Sequence, residues 1–486
     1  MPDFLCSSHF SGICYTTQKN KRKPWPGSGE DRMKKAIIVG AGPGGLLAAH
    51  KLAGALDVTV IEQGRDIGQR TCQVIKGNNC IYCNVCSVTA GVGGAGGMSD
   101  GKLNLSPLIG GDWAEFVGTQ EANRLIEEVD GYFVEHGAPP EQPAITGTEL
   151  ATRAAANGIE FIPIRQKHIG SDMLPQVIGS MEKSLRQRNV KFQLGKRVES
   201  VTVENGRVTG VIVAGKHLKA DFVLLAPGRS GSTWLGDQMQ QFGVPIKYMP
   251  LDVGVRVEVP SLVYEEAVKT NWDPKFRMYT PTYDDLVRTF CTCPYGFVVQ
   301  DTYESGVGAN GHSQRNCRSN NTNFAFLTRI GLTEPLENTN EYGSTIAHQA
   351  RTIGGGRPIL QRLGDLKRGR RSTWERLQRS YVEPTLRAVT PGDISMAMPH
   401  RIVTDIIEGL DKLDRVVPGV ASDATLLYAP EIKFAAIRPE TRGRFETTVV
   451  DNLFVAGDGA GLTRGIVPAA ATGIVAAEGI LAKISK

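Results

Sequence analysis

Apolar and polar positions alternate in a way that divides the chain into elements from Met33 onward. Ala36 to Val39 is a short apolar run, which predicts a buried strand. Gly40 to Gly45 reads as a turn, and Leu46 to Ala55 carries helical spacing. Val58 to Ile61 is a second apolar run of strand length and completes a βαβ unit of about 30 residues. Residues 66–110 are rich in Gly and Cys with little period, whereas 113–135 and 171–188 have helical spacing. Val198 to Val203, Arg207 to Val213 and Phe222 to Leu225 predict strands, with Glu204-Asn205-Gly206 as a hairpin turn. From about 245 to 420, strands and helices mix without a nucleotide fingerprint. The chain then returns to a strand, Leu453 to Ala456, a glycine turn, and a closing helix from Ile466 to Ile484. Residues 1–32 have no apolar period and read as a disordered leader. Met33 directly precedes the first strand and is the expected natural start. A transit peptide is the rival reading, opposed by Asp3, Glu30 and Asp31.

Composition adds limits. A chain of 486 residues holds two or three domains, and 41% hydrophobic with 22% charged residues is ordinary globular usage. The 56 glycines sit in short clusters, the pattern expected where backbone lies close to a ligand. The net charge of +5 is modest, so no nucleic-acid partner is expected, and the run Lys367, Arg368, Arg370, Arg371 reads as a solvated loop. There is no run of 18 uncharged apolar residues and no signal-peptide pattern, so no membrane span is expected. Nine cysteines do not make a secreted disulfide scaffold, and four of them cluster, which points to a reducing, cytoplasmic setting.

The glycine turn carries the first chemistry. Gly40, Gly42, Gly44 and Gly45 stand in Gly-Ala-Gly-Pro-Gly-Gly, which fits G-x-G-x-x-G between a strand and a helix, the context that gives this motif its meaning. Such glycines permit a tight turn, let backbone approach a pyrophosphate, and allow close helix–strand packing. The phosphates then meet the free N–H groups of the helix N-terminus. Glu62, at the end of the second strand, is placed to accept hydrogen bonds from ribose hydroxyls.

Two later segments have the same strand-to-glycine form: Val223-Leu224-Leu225-Ala226-Pro227-Gly228 and Leu453-Phe454-Val455-Ala456-Gly457-Asp458-Gly459-Ala460-Gly461. They resemble the second and third signatures of the two-dinucleotide-binding flavoprotein superfamily. That resemblance implies FAD, with Asp458 on the ribityl chain, Ala226 and Gly228 near the adenine–ribose end, and Val198 near the adenine. Thr463, Gly465 and Ile466 follow the Asp458 turn, and Pro468 suits the first turn of a helix whose N-terminus would face the flavin. The segment Gly93-Gly94-Ala95-Gly96-Gly97-Met98-Ser99-Asp100-Gly101-Lys102-Leu103 narrows the likeness. With Arg288 to Gly296, Asn310 to Ser313 and Leu427 to Phe434, it is similar to a family of uncharacterised FAD-dependent dehydrogenases. The likeness runs from about Met33 to the C-terminus and implies that Gly97, Met98 and Ser99 touch the cofactor. No second G-x-G-x-x-G follows a strand, so NAD(P)H is expected only as a transient co-substrate.

Cys72, Cys80, Cys83 and Cys86 give C-x7-C-x2-C-x2-C. Four thiolates suit an iron–sulfur cluster or structural zinc equally well. A redox disulfide beside the flavin and a loop of free thiols are the other readings. Cys291 and Cys293 follow the predicted strand Leu286 to Phe290. If that strand continues, alternation puts both on one face, as small core residues or as lining of an active site. His312 and His400 are candidate bases. Lys102 is a candidate to neutralise the flavin or a substrate carboxylate, and Arg256 and Arg288 to anchor an anion.

The expected architecture is α/β: a Rossmann-like FAD-binding domain of the glutathione-reductase type, assembled from discontinuous segments, with a mixed α+β substrate domain. The segments are 33–110 (with a Cys-rich loop at 66–98), 165–245 and 420–486. A helical insertion fills 111–164 and the substrate domain 246–419. The expected function is an FAD-dependent oxidoreductase acting on a small organic molecule. A flavin/iron–sulfur electron-transfer protein with a protein redox partner is the alternative, ahead of a flavin monooxygenase or a tRNA-modifying flavoprotein.

Overall fold

The computed structural model describes residues 33–73, 81–139, 148–303, 306–333, 337–434 and 437–485. The leader 1–32, and with it any reading of Met33 as a start, lies outside them.

Lys35–Val39 is buried along its apolar run and stands inside a seven-stranded sheet, as strands covered on both faces do. It pairs in parallel with Asp57–Glu62 on one side and Phe222–Leu225 on the other. The parallel part continues to Lys191–Leu194 and Leu453–Val455 at its two ends. Glu446–Thr447 and Thr441–Arg442 extend one edge in antiparallel fashion. Val39 lies opposite both Ile61 and Leu225, so three strands end at one level and their turns leave from one carboxyl edge. That edge is where ligands bind in open α/β sheets. Every residue of Phe222–Leu225 is buried, and truncating one such side chain, as in Leu224→Ala, costs about 2–5 kcal/mol.

The first helix spans Pro43–Leu52, starting three residues before its apolar spacing suggests, because Pro43 is preset for a first turn. It packs on the closing helix Ile466–Ile484. The contact is backbone-close: a Cβ on Gly473 would lie 2.0 Å from the Gly44 carbonyl oxygen. Ile466–Ile484 is long and apolar enough, by length and composition alone, to cross a membrane, but 67% of its apolar window is buried inside the protein. A three-stranded sheet, Val198–Glu204, Arg207–Val213 and Lys216–Lys219, sits beside Phe222–Leu225. Its first turn uses Asn205 at φ 51° and Gly206 at φ 74°, the pair of positive values a tight hairpin needs.

The second layer is an eight-stranded sheet. Its order is Thr390–Pro391, Ile359–Arg362, Leu426–Lys433, Leu251–Pro260, Asn321–Ile330, Leu286–Cys293, Lys275–Tyr279 and Glu160–Ile162. Leu251–Pro260 and Asn321–Ile330 pair antiparallel along their full length. Helices Ser261–Thr270, Thr339–Ile353 and His400–Asp414 pack against them or their neighbours. Two expected boundaries move. Leu426–Lys433 pairs with Leu251–Pro260 and Ile359–Arg362, so residues assigned to the nucleotide domain from 420 belong to the second sheet through Lys433. All eight of its residues are buried, as an interior strand requires. Glu160–Ile162 likewise joins this sheet rather than a helical insertion. Between the layers, Lys102–Leu105 pairs antiparallel with Arg165–His168, which sets Lys102 opposite His168.

Candidate functional site

Three glycine turns meet at the carboxyl edge of the first sheet. Gly40 has φ 104°, and a Cβ there would lie 2.2 Å from the Ala226 carbonyl oxygen. A Cβ on Gly45 would lie 1.9 Å from the Gly40 carbonyl oxygen, and one on Gly459 2.5 Å from that of Gly228. The Gly40, Ala226–Gly228 and Gly457–Gly459 turns are therefore locked together by missing side chains. Gly42 precedes Pro43–Leu52 and Gly465 precedes Ile466–Ile484. Neither helix has a side-chain cap or an acidic residue in its first turn. Both N-termini thus keep the N–H groups and dipole that attract an anion. The segment Gly93–Ser99 crosses both. A Cβ on Gly94 would meet Gly42 Cα at 3.0 Å, and one on Gly96 would meet Ile466 and Pro43 at 3.1 and 3.3 Å. Within it Gly97 N donates to Gly93 O, Met98 ends a short helical turn, and the Ser99 hydroxyl donates to Gly96 O at 2.7 Å.

Glu62 is buried, and its carboxylate accepts from Ala41 N at 2.9 Å, Gly64 N at 2.8 Å and Gly91 N at 3.0 Å. It fastens the first glycine turn to the next loop, filling three of about four lone-pair positions a carboxylate offers. Asp458 accepts from the Thr463 hydroxyl at 2.7 Å and lies 3.6 Å from Arg229. Burial pushes its carboxyl up, against the pull of Arg229. Val198 is buried at the start of the three-stranded sheet, pairing with Val213. Arg229, Arg329, Arg438 and Arg464 line a cavity at the Asp458 turn together with Asp112 and Thr463.

A second cluster lies between the layers. Lys102 Nζ is 2.7 Å from Asp100 Oδ2, 3.6 Å from Cys291 Sγ and 3.5 Å from Cys293 Sγ. Burial opposes the Lys102 charge, but Asp100 and the two sulfurs outweigh it and hold the ammonium charged. Asp100 also accepts from the Ser313 hydroxyl at 3.3 Å, and Ser313 contacts His168 Nε2 at 3.0 Å. Burial lowers His168 to about 4. Arg256 is fully buried, donating to Asn323 Oδ1 at 2.8 Å, Cys291 O at 2.8 Å and Cys293 Sγ at 3.0 Å. Its contact with buried Glu431 is 3.5 Å. Among the described residues neither Arg256 Nη1 nor either Glu431 oxygen has a hydrogen bond of good geometry. Arg288 lies over the Phe290 ring at 4.8 Å and donates to Asp252 at 2.9 Å, and Arg464 pairs with the same Asp252.

The candidate residues divide accordingly. Lys102 and Arg288 fall in this cluster. His312 borders it: burial lowers its pKa, with the fields of Asp100 and Arg256 opposed. His400 does not join them. It is exposed at the start of His400–Asp414, with Thr404 one turn on, so its place as a base is withdrawn. The four-thiolate reading lies partly outside the described residues. Cys80 lies outside the described residues, and Cys72, Cys83 and Cys86 form no group of three converging ligands among those described. In the described part of the loop, the Arg70 guanidinium donates to the carbonyls of Ser87, Val88 and Val92. Asp100, Cys291 and Cys293 do converge, with ligand atoms within 4.8 Å. Lys102 and Arg256 stand against that trio, so fixed cations already hold the place of a metal ion.

Family models match along the chain. An NAD(P)-binding Rossmann-like domain covers residues 38–83, and pyridine nucleotide-disulphide oxidoreductase covers 144–263. The C-terminal domain-like part of an FAD-dependent protein covers 250–433, and glucose inhibited division protein A covers 384–486. The chain is an FAD-dependent oxidoreductase. An uncharacterised protein of Clostridium beijerinckii is 26% identical to it, over 94% of this chain and 82% of that one. Among solved structures, an oxidoreductase from Methanosarcina mazei aligns with TM-score 0.37 at 12% identity, covering 92% of this chain and 100% of the other. L-proline dehydrogenase from P. horikoshii aligns with TM-score 0.40 at 13% identity, covering 93% and 94%.

The flavoenzyme's glycine turns fit the cofactor: each close approach leaves no room for a Cβ, and two uncapped helix N-termini flank the same turns. When bound, FAD supplies a two-electron centre that takes or returns a hydride. The match that ends at residue 433 coincides with the end of Leu426–Lys433, the strand the sequence reading misplaced. Sequence reasoning also missed Asp100 and His168. Asp100 stood in the glycine segment beside Lys102, the one available hint. His168 sits in Arg-Gln-Lys-His with no motif around it.

Proposed function

We propose that this flavoenzyme oxidises or reduces a small organic anion held against the cluster between the two sheets. The observation that carries the reading is that two carboxylates there each serve two cations. Asp252 is shared by Arg288 and Arg464, and Glu431 by Arg256 and Lys433. Each sharing leaves one positive charge without its own counter-ion. Burial holds Arg288 and Arg464 down to about 10, so an entering carboxylate relieves a desolvated charge. Burial pushes the carboxyl of nearby Asp301 up, against the pull of Lys433.

The residues divide the work. Arg288 and Arg464 orient the anion through bidentate hydrogen bonds. Phe290, flanked by Arg288, Lys275 and Lys433, gives the apolar wall that excludes water. His312 and His168, both lowered by burial, are neutral at pH 7 and able to take a proton.

Anaerobic screening of carboxylates, phosphates and matched neutral compounds for bleaching of the flavin band tests this. Bleaching by an anion, with Arg288→Met raising KM about tenfold or more, is the expected result. Bleaching by neutral compounds alone, unchanged in Arg288→Met, overturns it.

A further inference from the structure

We infer that Cys291 and Cys293 form a two-electron thiol pair that reduces a small disulfide, with Cys291 as the attacking sulfur and Cys293 as the resolving one. This goes beyond the flavin reading and does not depend on it.

The geometry starts from a break in the strand. In a regular strand, residues two apart stand about 6.8 Å apart, at the limit of what a disulfide bridges. Leu286–Cys293 is not regular at its end: its register with Asn321–Ile330 shifts between Phe290 and Cys293, and Cys291 has φ 49°. A positive φ in a non-glycine residue is costly and persists where the surroundings enforce it. Here it brings both sulfurs into one group with Asp100, all within 4.8 Å. Gly296 keeps the turn closed, since a Cβ there would meet Cys293 Cβ at 2.8 Å.

The two thiols are unequal. Cys291 is half-buried, whereas Cys293 is fully buried behind it, so an entering disulfide reaches Cys291 first. The neighbouring Cys293 thiol, with help from Lys102 and Arg256 against the cost of burial, holds the Cys291 thiol down to about 6. Burial pushes Cys293 up, so it keeps its proton. Cys293 Sγ in turn points at Asp100 Oδ2, 3.7 Å away. The Cys291 thiolate attacks one sulfur of R–S–S–R, forming Cys291–S–S–R and releasing RS⁻. Cys293 passes its proton by way of Asp100 and attacks Cys291 Sγ. The Cys291–S–R bond breaks, the Cys291–Cys293 disulfide forms, and RSH leaves. The pair loses two electrons and the substrate gains them.

The test uses the reduced, full-length protein, incubated without oxygen with glutathione disulfide, then blocked with a maleimide and analysed by peptide mass. The expected product is a Cys291–Cys293 disulfide that escapes the maleimide. Cys293→Ser should instead trap glutathione on Cys291. Cys291→Ser should leave Cys293 as a free thiol. Lys102→Met should slow alkylation of Cys291 by iodoacetamide at pH 7 about tenfold and move its pH midpoint upward. Glutathione found on exposed Cys83 and Cys317, with Cys291 and Cys293 both free in the wild-type protein, overturns the inference. Because every readout is a mass or an alkylation rate, the inference can fail while flavin bleaching by an anion succeeds, and the reverse.

Discussion

The nucleotide cradle and the cluster between the sheets are both buried and both polar, yet they are built from opposite materials. The cradle is backbone: Gly40, Gly45, Gly459 and Gly473 each lie where a Cβ would strike a carbonyl at 2.5 Å or closer. The cluster is side chain, with Asp100, Lys102, His168, Arg256, Cys293 and Glu431 arriving from separate strands and turns. The first kind of site tolerates no added atom. The second tolerates no lost charge, since an ion left alone in a dry interior costs several kcal/mol.

An atom added to a cradle glycine should therefore act on the cofactor site directly. Gly45→Ala places a Cβ 1.9 Å from the Gly40 carbonyl and should abolish stoichiometric flavin binding, read from the visible spectrum of the purified variant. Removing a charge from the cluster should act on stability rather than on flavin content. Lys102→Met leaves Asp100 buried without its closest partner and should cost about 3–5 kcal/mol in urea unfolding, while the flavin-to-protein ratio holds. Equal loss of flavin in both variants would erase the distinction between the two regions.

Acid should act on the cluster as well. His168 has a folded pKa of about 4 against a usual value of 6.5. The unfolded chain then takes up its proton first as pH falls. The stability His168 contributes is present above about 6.5 and is lost on descent toward 4. Urea midpoints should fall by the equivalent of about 3 kcal/mol over that window, and His168→Gln should flatten the fall. The smallest effect should be that of His400→Ala at the exposed helix start, within about 0.5 kcal/mol and without change in turnover.

The same contrast explains what could be read in advance. The cradle is legible because each turn is a local run of small residues after an apolar strand, and glycine's missing side chain is visible in the letters. The cluster is not. Lys102 and Arg288 stood out only as charges, and nothing local joins His168 to Lys102: they meet because Lys102–Leu105 pairs with Arg165–His168. His400 is a candidate base by residue type, but a helix start on the outer surface needs no chemical reason for a histidine. The Cys72 to Cys86 spacing shows in the letters, whereas Arg70, which holds the carbonyls of Ser87, Val88 and Val92, belongs to no motif. The x1 spacing of Cys291 and Cys293 suggested a regular strand, and the bulge that pairs their sulfurs leaves no mark in composition.

The most direct test of the central claim is the visible spectrum and flavin content of the protein purified without oxygen and then incubated with FAD. The account predicts flavin bands with one FAD per chain in the wild-type protein and none retained by Gly45→Ala. A wild-type chain without flavin after that incubation, or a Gly45→Ala variant that binds FAD as well as the wild type, would contradict it.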